Sequence, residues 1–463
     1  MGIGRLFDIS VRAMATYQRA IDVASQNISN AGNTDYTRQR VVIATEQTQG
    51  GIGTGVKIQD VLRIRNDLLD SQIRKYKSSN SDANKRSELL SQIESVIAEP
   101  SDSGLSAYFN EFFNAWDQLT SNPNSTQLRT QIIEKASRLS ERMDEVFDGF
   151  DSVESLLMQE ASSKTVELNS YLKEINELNR KIYESEAAGI KASELKDDRD
   201  ALIDKVSELA NATVQINEKG AAVISIGGIH SADQNVYTEF EMKLVNGKLQ
   251  LVSKNDPDAK AVLNSGELFA ITDLYSNKIS QYRTDLEKVA ATFADKVNEL
   301  HMTGYTLTSS GSTTGIPFFG ELDGSGNVIN TFTNGKLNIN SAVLGDSSKI
   351  AASDTLNNDG NGNIANKIAL LEGTKFSELN GQTILESYSS FLNNFGMEKT
   401  ISDNKIESSE LVLQQLDTQK SSYSGVSIDE EMTNIMKYQR SYEAAAKLIQ
   451  VVDEMLQTIM DIM

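Results

Sequence analysis

The sequence predicts a mainly α fold with α+β insertions: paired terminal coiled-coil helices, an elongated helical bundle, a small inserted β domain and an irregular outer insertion. Three observations predict it. Heptad patterns occupy both ends of the chain, long stripes of helical period fill much of the interior, and the period switches to two between 213 and 263. At the N-terminal end Phe7, Met14, Ile21 and Ile28 recur every seven residues, with Tyr17 and Ala24 at the intervening seam positions. At the C-terminal end Ile428, Ile435, Tyr442, Ile449, Leu456 and Met463 do the same, and Tyr438, Ala445, Val452 and Ile459 fill the second seam position. An apolar stripe of period 3.5 needs a partner helix. Two such runs at opposite ends are expected to pair with each other and to leave their outer faces for further subunits.

The elements follow in order. Residues 1–30 and 425–463 form the terminal-helix domain. From 31 a turn-rich run leads into the β-like Arg40–Thr45 and a cluster containing Gly50, Gly51, Gly53 and Gly55, which together read as an extended arm. The four prolines are Pro100, Pro123, Pro257 and Pro317, so none breaks a helix before residue 100 or after 317. Helical stripes run from about 62 to 98 and from 105 to 212, marked by Leu128, Ile132, Leu139, Met143, Val146 and Phe150, then by Leu168, Leu172, Ile175, Leu178 and Ile182. A break at Gly189 precedes Leu195, Leu202 and Leu209, seven apart. Strand alternation in 213–263 includes an Asn246-Gly247 hairpin turn, and this block is expected to be a self-contained outward domain that can be excised. Ile279, Leu286, Phe293 and Leu300 mark the next helix, within 264–303. Residues 304–375, rich in Gly, Ser, Thr and Asn, form the irregular insertion. Residues 31–212, 264–303 and 376–424 make up the bundle with its arm.

Composition narrows the function. With no cysteine and only His230 and His301, thiolate metal sites and most histidine chemistry are excluded. The first residues lack the apolar core of a secretory signal, and no window approaches a membrane span. Residues 1–77 hold 11 Lys and Arg against 7 Asp and Glu, whereas the remainder holds 33 against 58. That balance argues against nucleic acid as a partner, because phosphate contacts need a concentrated basic surface. The acidic pairs Asp197-Asp198, Glu184 with Glu186, and Asp256 with Asp258 read as solvated helix faces and turns. The loop at 357–363 fails the Ca²⁺ pattern, since with Gly360 at position six Thr355 and Asn366 would stand where an acid and a bidentate Glu are required, and turn chemistry is favoured there and at 323–327. His301 near a helix end suits a cation against the dipole. No catalytic residue, cofactor or metal is expected.

The segment Ala20–Ala31 followed by Tyr36-Thr37-Arg38-Gln39, with Asn27 and Asn30 inside it, resembles the N-terminal motif of bacterial flagellar rod, hook and hook-associated proteins. Ser424–Met432, Tyr438–Tyr442, Ala445-Ala446 and Asp453–Leu456 resemble their C-terminal motif. Glu194–Asp200, Gly266-Glu267-Leu268, Asn298–His301 with Gly304-Tyr305, and Pro317-Phe318-Phe319 resemble the hook–filament junction branch. Two departures stand out: Thr34-Asp35 replaces the usual Pro-Gly, and 304–375 matches little. The resemblance implies a structural adaptor joining hook to filament as a ring of identical subunits, outside the cell on the flagellum. Its implied partners are the hook protein, the second hook–filament junction protein and, on the C-terminal helix, an export chaperone of the flagellar type III apparatus, with neither nucleic acid nor membrane. A hook or distal-rod protein is the alternative within the family, and a secreted enzyme with flagellar-type ends the alternative outside it.

Overall fold

The computed structural model describes residues 3–46, 54–217 and 220–462. Gly50, Gly51, Gly53 and Met463 therefore lie outside the described residues. Helix α1 (Ile3–Ser29) leads into an antiparallel hairpin, β1 (Gln39–Thr45) and β2 (Val56–Arg63), whose register slips at Val42/Ile43. The hairpin runs on to Arg63, past the point near 62 where the sequence predicts helix to begin, because Asp60–Arg63 pair with Gln39–Val42. Next come α2 (Asp67–Ile97), α3 (Leu105–Ser121), α4 (Thr126–Ala187) and α5 (Ser193–Leu209). The Asn66 side chain caps α2 by accepting from the Leu68 and Leu69 N–H groups. Helix α4, 62 residues and roughly 93 Å long, is the spine.

The alternating segment forms a meander β3 (Ala212–Ile216), β4 (Ala222–Ile226), β5 (Ile229–Ala232) and a separate hairpin β6 (Phe240–Val245), β7 (Lys248–Ser253). Asn246 and Gly247 turn that hairpin with positive φ, as their sequence predicts. Then α6 (Glu267–Asp273) passes through a π-helical stretch at Leu274–Ile279 into α7 (Ser280–His301). Short strands β8 (Glu321–Leu322), β9 (Val328–Ile329), β10 (Phe332–Thr333) and β11 (Lys336–Leu337) and short helices α8 (Ser341–Gly345) and α9 (Asn363–Ala369) precede α10 (Ile384–Ser424) and α11 (Ile428–Ile462). A reciprocal Thr383/Glu386 capping box starts α10.

Two cores share the spine. The larger gathers α2, α3, the first half of α4, α7 and the start of α10 around Phe112, Trp116, Phe150 and Phe293. Phe318, Phe319, Leu337, Val343, Ile350 and Ile364 belong to the same core. The irregular 304–375 segment is thus a layer of the bundle, held by side-chain clamps that strand or helix periodicity does not reveal. Asn298 accepts from the Phe318 and Phe319 N–H groups and donates to the Phe319 carbonyl, each at 2.8 Å. Arg129, buried on α4, donates to the carbonyls of Pro123 and Ile350. His301, expected as a cation at a helix end, is fully buried, and desolvation pushes its pKa down to about 4.

The second core joins Leu168, Leu172 and Ile175 of α4 and Ile203, Val206 and Leu209 of α5 to Ala222, Ile224, Ile226, Phe240 and Leu251 of the strands. The strands therefore share their apolar face with α4 and α5, which corrects the expectation that the block can be excised freely. Its two flanks do meet. A Cβ on Gly266 (φ +91°) would lie 2.7 Å from the Ala210 N and the Leu209 carbonyl oxygen, so only glycine permits that approach.

Candidate assembly seam and its anchor

Helices α1 and α11 pair. Tyr17 stacks on Tyr438, centroids 6.5 Å apart, and Arg38, beyond the end of α1, reaches Glu430 and Glu431 at the start of α11. Lower numbers on α1 thus face higher numbers on α11, and the pair is antiparallel. Among the apolar residues of the pair, burial is deepest at the seam positions Ala24, Ala445 and Val452, and at Ala20 and Val23. Met14, Tyr17, Ile21, Ile28, Ile435, Tyr442 and Ile449 are partly covered, while Phe7, Ile428 and Leu456 are 45%, 49% and 45% exposed. The expected seam is therefore only partly closed within one chain, because a single helix shields a narrow stripe of its partner. In addition, α11 with 35 residues outruns α1 with 27. From Asp453 to Asp461 every residue of α11 is exposed.

The other face of α1 lies on the hairpin. Thr16 donates to the Val56 carbonyl at 3.2 Å. Buried Asn27 binds the backbone of Gln39 like a neighbouring strand: its side-chain oxygen accepts from the Gln39 N–H at 3.0 Å, and its Nδ2 donates to the Gln39 carbonyl at 2.8 Å. The Tyr36 hydroxyl donates to the same Asn27 oxygen at 2.8 Å. Burial, then the charge of Asp197, pushes the Tyr36 pKa up to about 12, which keeps that donor protonated. Asn30 caps locally, donating to the Gln26 carbonyl at 3.0 Å. Where Thr34-Asp35 replaces Pro-Gly, the Asn33 side chain makes the turn by accepting from the Asp35 N–H at 3.1 Å.

Arg38 is the clasp. Its Nε donates to Glu431 at 2.8 Å, and its Nη2 lies 2.6 Å from Glu431 and 2.8 Å from Glu430. The hydrogen bond from Arg38 holds the Glu430 carboxyl below its usual range. Glu431 is 3% exposed and one heptad before Tyr438. A charged residue at a seam position was the signal that it has a partner.

An anchor on α5 fixes the joint to the bundle. Arg63 donates to Asp197 and, at 2.8 Å, to Asp200; Arg65 pairs with Asp70 and Asp200; the Thr37 N–H donates to Asp197 at 3.2 Å. Gln26 donates to Glu194 at 2.6 Å. Asp197, read from sequence as solvated, is 7% exposed. Its partner stands 134 residues away, out of reach of any local pattern.

A family model described as the flagellar basal body rod FlgEFG protein C-terminal matches residues 419–462, which sets the chain among flagellar axial proteins. A second, the flagellar hook-associated protein FlgK helical domain, matches residues 90–319. Flagellar hook-associated protein 1 of Bacillus subtilis is 28% identical, over 97% of this chain and 96% of its own. Those of Salmonella typhimurium and Escherichia coli are 24% and 22% identical, over 99% of both chains in each case. A solved structure, the flagellar hook junction protein FlgK from Burkholderia pseudomallei, shares the fold over 76% of this chain and all of that one, with a TM-score of 0.64 at 12% identity. The chain belongs to the FlgK family of flagellar hook-associated proteins.

Proposed function

We propose that this chain is a structural adaptor of the bacterial flagellum that joins the hook to the filament, packing with identical copies through its terminal helices. One observation carries the reading. On α11 the side chains of Met432, Met436, Leu448, Val451, Met455, Ile459 and Met460 remain 44–76% exposed although α1 already covers one face. So much apolar surface on one helix of a soluble chain calls for partners. Covering the exposed half of each side chain contributes about 1 kcal/mol. Neighbouring copies provide that cover in the assembled ring, with the hook protein on one side and the second junction protein on the other. Before assembly the same surface is the natural seat for an export chaperone, and the subunit leaves through the flagellar type III route to act outside the cell. The role is mechanical, in keeping with a structural family, and involves no chemical step.

The double variant Leu448→Asp/Val451→Asp tests this, since both positions lie within the paired stretch yet stay 48% and 44% exposed. It is expected to melt like the parent chain and yet leave cells with hooks and no filaments, filament protein being lost to the medium. Normal filaments would overturn the reading. A labelled antibody placing the parent chain at the hook–filament boundary separates it from a hook or rod protein.

A further inference from the structure

The terminal pair and its hairpin meet the bundle without an apolar seal. Among the described residues, none of α1, β1, β2 or α11 belongs to an apolar cluster of the bundle. The covalent connections are short: Ile64–Asn66 between β2 and α2, and Gly425–Ser427 between α10 and α11. Clefts of about 960 and 560 Å³ open beside β2, and Val61 lines both. In the larger one the charges pair off, Lys191 with Asp60, Lys196 with Glu186 and Lys405 with Asp82 in addition to the arginine pairs of the anchor, so it selects no charged occupant. Room to move lies on the hairpin's flank, and only polar bonds oppose the movement.

Those bonds converge on one strap, Tyr36–Gln39, whose successive residues serve three elements. The Tyr36 hydroxyl and the Gln39 backbone are tied to Asn27 on α1, Thr37 to Asp197 on α5, and Arg38 to Glu430 and Glu431 on α11. Thr37 also closes a triangle at the anchor. Its Oγ1 accepts from the Arg63 Nη2 at 3.2 Å, and the same Nη2 engages Asp197 and, at 2.8 Å, Asp200. The clasp to α11 and the anchor on α5 are therefore held by neighbouring residues joined through one planar peptide. Because hydrogen bonds weaken steeply with misalignment, a shift of the strap that loosens one contact spoils the other. The seat on α5 is finely balanced, since the Arg63 Nε is buried without an acceptor, which costs stability. We propose that the strap couples the two contacts: α11 docked on Arg38 fixes it in the register at which Thr37 and Arg63 seat on α5, and with the clasp open the anchor lets go and α1 with its hairpin swings about Ile64–Asn66. Clasp and anchor thus bias a single element, which is what coupling between separate sites requires. The inference concerns the free chain and stands apart from the role proposed above.

Because the chain has no cysteine, spin labels at Ala15→Cys on α1 and Lys173→Cys on α4, both exposed, report the swing without background. Glu430→Ala/Glu431→Ala removes carboxylates whose ion pairs among the described residues are to Arg38 alone. In the full-length chain it is expected to broaden the α1–α4 distance distribution at least twofold. Conversely, Asp197→Ala/Asp200→Ala on α5 should speed hydrogen exchange of Met432–Tyr438 on α11 at least tenfold, and the two double variants combined should do no more than the stronger one alone. A parent-like distribution in the clasp variant, unmoved exchange on α11 in the anchor variant, or effects that simply add would overturn the coupling. Retained protection of α3 and α7 verifies that the bundle is folded. If the clasp variant loses that protection, Arg38→Lys, which keeps the charge but loses the planar fork, takes its place, and a parent-like distribution there would equally overturn the proposal.

Discussion

His301 uses both ring nitrogens to tie the end of α7 to the irregular layer. Nε2 accepts from the Ala351 N–H at 2.9 Å, which leaves the proton on Nδ1 to donate to the Ile316 carbonyl at 2.7 Å. A cation would turn Nε2 into a second donor facing an N–H. The folded pKa, about 4, lies below the ordinary 6.5, so the stabilisation is complete above pH 6.5 and drains away as pH falls toward 4. It is on the order of 3 kcal/mol. His301→Phe, which orphans the Ala351 N–H, is expected to melt well below the parent at pH 7.5, with the gap narrowing steadily toward pH 4 in paired thermal melts. A constant gap would show that protonation is not coupled to folding here. The sequence placed His301 at a helix end but could not show its burial, because Trp116 and Phe318, whose rings pack against it, come from other elements. Asn27 was legible as a motif position; its pairing with Gln39 needed the hairpin in place.

At the level of elements, the strand block and its helices stand or fall together. Removing 213–263 would bare Leu168, Leu172, Ile175, Ile203 and Val206, all at 0% exposure. Fully burying such a side chain stabilises by about 1.5–3 kcal/mol. Excision with a short Gly/Ser linker is therefore expected to raise hydrogen exchange throughout α5 and the second half of α4 while leaving α3 and α7 protected. Unchanged protection of α5 would mean that the strands are an appendage after all. The strand period and the Asn-Gly turn were readable because they are local. What the strands cover was not, since the apolar stripe on α4 reads the same whether a sheet or a helix lies against it. The α2–α10 contact was hidden for another reason: between the apolar cluster of Leu69, Ile73 and Leu416 and the main core, its middle stretch is polar, where Asn80 donates to Ser409, Ser87 to Asp403 and Lys405 pairs with Asp82.

For the whole molecule, the order out through helices and strands and back to a pair of ends was the most legible property, because both heptad runs and the absence of prolines near the ends are global facts. The two ends are not equally held, however. Helix α1 is gripped by α11, by the hairpin and through Gln26 by α5, whereas α11 beyond Val452 touches little. Limited proteolysis of the monomer is thus expected to remove residues from about 453 onward first and to spare α1 until later, as read by mass spectrometry of the products. Simultaneous loss of both ends would show that the joint does not hold α1.

The clasp between Arg38 and Glu431 spans 393 positions of the chain. Closing so long a loop costs on the order of 5 kcal/mol in chain entropy, and the clasp can form only when nearly the whole polypeptide is present with its interior folded short. A chain cut shortly before residue 431 could build most of its body and still display an α1 with no partner. The meeting of the ends therefore serves as a receipt for a finished molecule, and any structure that accepts subunits only through the closed pair rejects unfinished ones without a separate inspection.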